Sequence, residues 1–139
     1  MIILDTNVLS ALARPEPDAA VLKWLNLQPG ASIWTTSVTV MEIRYGLKTM
    51  PSGRRREALM QQMEAVFSQD IEGRIASFDA AAAEQAAELM ALRKRKGRPV
   101  DSRDTMIAGI VLATRATLAT GNTSHFQDLS VPVVNPWAL

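Results

Sequence analysis

The chain opens on Met1-Ile2-Ile3-Leu4-Asp5, an apolar run that stops at a carboxylate. Such a run reads as a buried strand carrying an acid to the edge of a sheet. Strands covered on both faces are continuously apolar, and ligands of open parallel sheets sit beyond the strands' carboxyl ends. Asp5 stands at that address. This segment alone leaves a second reading open, in which Asp5 only caps a helix beginning near Asn7.

The rest of the chain alternates helices with strands. Helices are expected at Asn7 to Ala13, Asp18 to Leu27, from Thr39 to about Lys48, Arg54 to about Ser68, Ala80 to Lys96, and from Asp101 or Ser102 to about Arg115. Thr39 with Glu42 fits a capping box, and Asp79 fits a cap for the Ala-rich helix. Strands are expected at Ser32 to Thr36, Arg74 to Phe78, Leu118 to Thr120 and Val131 to Val134, the last an edge strand because of Pro132. Such alternation predicts an α/β fold with a parallel sheet and right-handed crossovers. With 139 residues the chain suits one domain over residues 1–139, able to bury a core without disulfides.

Composition narrows the chemistry. There is no Cys and one His, His125. Disulfides, thiolate zinc sites and cysteine nucleophiles are excluded, and oxygen ligands are left as the basis of any metal site. No secretory leader pattern is visible, and no window reaches the roughly 20 apolar residues of a membrane span. A soluble, cytoplasmic protein without a membrane partner is expected. The net charge is only +1, but the cations cluster as Arg54-Arg55-Arg56 and as Arg93-Lys94-Arg95-Lys96 with Arg98 and Arg103. Such clusters act through local potential or are merely solvated helix ends.

Most of the 14 acidic residues suit solvated helix faces, Glu84 and Glu88 among them. Asp5, Glu42 and Asp104 do not. Asp104 shares a helical face with Ile107, Ala108 and Val111, so its carboxylate points where core side chains point. Taken singly, Glu42 suits a backbone bond at Thr39 and Asp104 a first helical turn. Taken together, all three follow a strand or open a helix following one, which sets them on one rim of a parallel sheet. Carboxylates within about 5 Å repel unless a hard cation neutralises them, and oxygen ligands select Mg²⁺ or Mn²⁺. Asn122 would join that rim as a neutral oxygen ligand or water-positioning amide, or else is simply a turn residue after Gly121. Thr6, Ser37 and Thr120 offer hydroxyls of the kind common at strand ends. His125, beside Phe126, suits a surface or supporting residue better than a base.

Ile3-Leu4-Asp5-Thr6-Asn7-Val8, Val40-Met41-Glu42-Ile43-Arg44-Tyr45-Gly46, Asp104-Thr105-Met106-Ile107-Ala108-Gly109 and Ala119-Thr120-Gly121-Asn122 together form a pattern. The sequence resembles a PIN domain of the VapC and FitB type of toxin ribonuclease, across essentially its whole length. The resemblance implies a three-layer α/β/α sandwich with a parallel sheet of four or five strands, and a Mg²⁺- or Mn²⁺-dependent endoribonuclease. It also implies a cognate antitoxin, operator DNA reached only through that antitoxin, and a homodimer. Asp5, Glu42 and Asp104 match the family's three acids. Asn122 stands where a fourth acid is common, and Gly121 where a basic residue is frequent.

On this reading Asp5 and Asp104 hold the ion, Glu42 binds a second ion or orients its water, and Asn122 completes the shell. Arg93 to Arg98 and Arg103 are expected to track the RNA backbone. A competing reading makes the chain a toxin-like antitoxin partner acting mainly in a DNA-binding autoregulatory complex, with little catalysis. An aspartyl phosphotransferase would need an acid at position 7, where Asn7 stands.

Overall fold

In the computed structural model, which describes residues 1–138, five short strands form one all-parallel sheet. They are β1 (Ile2–Leu4), β2 (Ile33–Thr36), β3 (Ile75–Ala76), β4 (Thr117–Ala119) and β5 (Val133–Val134), in the order β3-β2-β1-β4-β5. Six helices cover the sheet: α1 (Thr6–Leu12), α2 (Ala19–Asn26), α3 (Ser37–Thr49), α4 (Arg54–Ala65), α5 (Ala80–Arg95) and α6 (Ser102–Thr114).

Successive strand residues point to opposite faces, and this splits the core in two. Leu4, Ile33 and Ala119 pack with Val8, Leu9, Val21, Ile43 and Met63 of α1 to α4. Ile3 and Leu118 pack with Ala82, Leu89, Ile107 and Val111 of α5 and α6. The result is the expected three-layer α/β/α sandwich. Each fully buried aliphatic side chain contributes roughly 1.5–3 kcal/mol of transfer free energy. Gly109 lets α5 and α6 approach closely, since a Cβ there would lie 2.5 Å from the Ala82 carbonyl oxygen and 2.8 Å from the Ala86 Cβ.

Several boundaries differ from expectation. The Thr39/Glu42 capping box does not form. β2 runs into α3 without a loop, so the last strand residue, Thr36, is the cap, and its Oγ1 accepts the Thr39 N–H at 3.0 Å. Glu42 is thereby free to act elsewhere. α4 does not run straight on to Ser68 but continues as a π-helical turn over Val66–Ile71, which aims Val66, Phe67 and Ile71 into the core. A 3₁₀ turn, Thr123–Phe126, follows β4 and buries Phe126 completely. β5 is shorter than expected but does lie at the sheet edge. No helix among the described residues is long and apolar enough to cross a membrane.

Candidate active site

Asp5 extends the β1–β4 pairing by one residue, its N–H donating to the Ala119 carbonyl at 2.9 Å. Its side chain is 2% exposed. The Thr6 N–H donates to Oδ1 at 2.8 Å, while the Thr120 hydroxyl and the Asn7 side-chain amide donate to Oδ2 at 2.8 and 3.2 Å. Asp5 therefore both caps α1 and stands at the carboxyl rim of the sheet; the two readings of the sequence hold together. Burial pushes its carboxyl above the ordinary value of 3.8, against the pull of these donors, and the Asp104 charge pushes it further.

Glu42, in the second turn of α3, is reached from the same corner. The Thr6 hydroxyl donates to Oε1 at 3.1 Å, and Arg103 Nη1 lies 3.8 Å from Oε2. Burial raises the Glu42 carboxyl above its ordinary value; Thr6 and Arg103 oppose this, and the charges of Asp5 and Asp104 add to it. Asp104 lies in the first turn of α6, which follows another helix and not a strand. It reaches the rim because α6 leads back into β4, so the helix starts where the strands end. His125 Nδ1 donates to Asp104 Oδ2 at 2.8 Å; a carboxylate only accepts, so the ring proton sits on Nδ1. Asn122 is exposed and tied in through its backbone, its N–H donating to Thr120 Oγ1 at 3.0 Å and its carbonyl accepting from the His125 N–H at 3.0 Å.

Other residues sit differently from their expected places. Thr6 and Thr120, unremarkable as strand-end hydroxyls, bond directly to the acids, and Asn7 joins them by accepting the Gly121 N–H at 2.9 Å. Ser37 does not reach this corner; its hydroxyl accepts the Phe78 N–H at 3.1 Å. Arg93 is no solvent-facing cation: it is 3% exposed and fully engaged inside the protein. Lys94, Arg95, Lys96 and Arg98 are exposed. Arg54 to Arg56 open α4, at the helix end whose dipole disfavours cations. At Gly121 a Cβ would lie 2.9 Å from the Trp137 ring, so the indole fills the space a basic side chain there would use.

The donor set suits a hard divalent cation. The Asp104 charge opposes ionisation of both Asp5 and Glu42, and the Asp5 charge opposes that of Glu42, so the three acids share one electrostatic neighbourhood, and their ligand atoms are all oxygen. Among the described residues no three His, Asp or Glu side chains already surround one point. Asp104 is turned to His125, and Glu42 to Thr6 and Arg103. An ion would therefore share these carboxylates with the protein partners that orient them.

Comparison with known proteins gives a consistent result. Residues 2–131 match the family described as PIN domain. The chain is 38% identical to the VapC ribonuclease Y4jK of Sinorhizobium fredii over 99% of this chain and 98% of that protein. It is 32% identical to the toxin FitB of Neisseria gonorrhoeae over 99% of each. Among solved structures, FitAB bound to an IR36 DNA fragment superposes with a TM-score of 0.89 at 33% identity, covering 100% of this chain and 97% of that one.

Proposed function

The chain belongs to the PIN-domain family, in the group that holds the VapC and FitB proteins, and from that premise we propose that it is a Mg²⁺- or Mn²⁺-dependent endoribonuclease, the toxic component of a type II toxin–antitoxin pair. The observation that carries the reading is the buried Asp5 carboxylate, held ionisable by three donors while Asp104 and Glu42 crowd it with like charge. Capping α1 accounts for the Thr6 bond to Asp5, but not for two further acids brought from α3 and α6 to the same corner.

Asp5 and Asp104 are the residues to hold the ion, with Glu42 completing or orienting the set and Asn122 beside it. When bound, a hard divalent cation supplies Lewis acidity, acidifying water and offsetting charge that builds on phosphate oxygens. The chain's own part is positional. Thr6 links Asp5 to Glu42, Thr120 fixes Asp5 Oδ2, and Asn7 ties both to Gly121. Arg103, half exposed beside Glu42, and the exposed Lys94, Arg95, Lys96 and Arg98 suit contact with backbone phosphates.

A cognate antitoxin is the expected partner, with operator DNA reached through it; the likeness to FitAB bound to a DNA fragment supports this. A homodimer is supported by Leu22, Leu27, Met41 and Tyr45, large apolar side chains left exposed on α2, α3 and the α2 C-terminus. A cytoplasmic location is the one that suits a ribonuclease toxin. The same DNA-bound relative favours a second reading, a regulatory partner with little catalysis. Incubating purified protein with RNA separates the two. Cleavage that needs Mg²⁺ or Mn²⁺ and stops with EDTA supports the nuclease, and intact RNA under both conditions supports the regulatory partner.

A further inference from the structure

We propose that Arg93 is a positioning residue for the acid site, its buried guanidinium clamping the first turn of α6 to the 123–128 turn and thereby fixing His125 against Asp104. The catalytic consequence rests on the nuclease reading; the clamp itself rests on geometry alone.

Arg93 bonds three residues on two segments, Asp128 and His125 of the 123–128 turn and Thr105 of α6. Nε and Nη2 donate to Asp128 Oδ2 and Oδ1, each at 2.8 Å, as a two-pronged pair. Nη2 also donates to the His125 carbonyl at 2.8 Å, and Nη1 donates to Thr105 Oγ1 at 2.9 Å. The Thr105 hydroxyl passes the chain on to the Asp101 carbonyl at 3.3 Å. Neutralising Asp128 accounts for the first two bonds. The other two go to the residue after Asp104 and to the backbone of His125, the two sides of the 2.8 Å His125–Asp104 bond.

Asp104 and His125 lie on different elements, and the His125 side chain is 46% exposed. An exposed ring reaching across from a short 3₁₀ turn holds one orientation only if the backbone on both sides is fixed. Arg93 is placed to fix it, through a planar fork that a lysine cannot reproduce. Supporting contacts of this kind set how well a ligand carboxylate is aimed.

The chain has a single histidine, so the imidazole NMR signals are unique and report the clamp in metal-free protein without any nuclease assay. Arg93→Lys keeps the charge and loses the fork. The expected result is loss or broadening of the hydrogen-bonded Nδ1–H signal of His125 in protein that is still folded by circular dichroism. In cleavage assays the same variant should lose roughly 10–100-fold in kcat with little change in KM. That loss should shrink or vanish when measured on a His125→Ala background, while the drop in melting temperature is the same on both. A wild-type Nδ1–H signal in folded Arg93→Lys, or equal kcat losses on both backgrounds, overturns the proposal. Should Arg93→Lys not fold, Thr105→Val removes one prong alone and is expected to disturb the same signal; an undisturbed signal there is equally fatal. If wild type itself cleaves no RNA, the nuclease reading fails, and the NMR result still decides the clamp.

Discussion

The Thr120 hydroxyl donates to Asp5 Oδ2 at 2.8 Å, joining the end of β4 to the end of β1 across 115 positions of sequence. Thr120 also accepts from the Asn7 amide at 3.3 Å and from the Asn122 N–H at 3.0 Å, so one buried hydroxyl organises the rim.

Thr120→Val keeps shape and removes that hydroxyl. Asp5 loses a donor to its charged form, and two N–H groups lose their acceptor. A stability loss of about 1–3 kcal/mol is expected, with cation affinity falling about 10–100-fold. Urea unfolding and a Mn²⁺ titration measure the two effects, and an unchanged affinity would detach Thr120 from the ion site.

Asp5→Asn should reduce cleavage by more than about 100-fold, since loss of a ligand costs more than loss of its support. The raised Asp5 carboxyl also fixes a sign: its contribution to metal-free stability is full below the unfolded value of 3.8 and is lost as pH rises through the higher folded value. Asp5→Asn removes this contribution to the pH dependence. In wild type, cation at about 100 times its Kd should add about 2.7 kcal/mol; in the variant it should add almost nothing. Thermal melts with Mg²⁺ and with EDTA test this, and equal cation responses would count against Asp5 as a ligand.

Asp128 carries the opposite sign. The Arg93 guanidinium holds its carboxyl below the ordinary 3.8, so its stabilisation is present above that value and lost as pH falls through the folded one. Asp128→Asn should cost about 2 kcal/mol at neutral pH and much less in acid. Denaturant midpoints at the two pH values check it, and a pH-independent cost would show that the loss is one of packing.

Gly109→Ala improves helix propensity by about 1 kcal/mol, yet its Cβ would meet the Ala82 carbonyl at 2.5 Å, backbone that cannot give way easily. Overpacking should win, for a net loss of about 1–2 kcal/mol. A variant as stable as wild type would mean that α5 shifts freely on α6.

The parts of this fold legible in sequence are those whose signals are local. The run ending at Asp5, the caps at Asp79 and Asp101, and the Pro of the last strand marked their elements correctly. Signals that arise only on folding were invisible. Thr6 and Thr120 look like any strand-end hydroxyls until β1 and β4 pair. Arg93 is one cation in a run of four, and only Thr105, His125 and Asp128, 12 to 35 positions away, set it apart from its neighbours. The capping box failed because β2 passes into α3 without a loop, a matter of connection geometry that a motif does not encode.

The central place of β1 has a consequence for synthesis. On a ribosome the N-terminal strand emerges first, yet one of its two neighbours, β4, is translated more than a hundred residues later. The nascent polypeptide carries Asp5 from the outset but lacks the hydroxyl that seats it and the imidazole that meets Asp104 until residues 120 and 125 have left the exit tunnel. A growing chain thus cannot assemble this corner before β4 and the turn after it have been made and have docked beside β1.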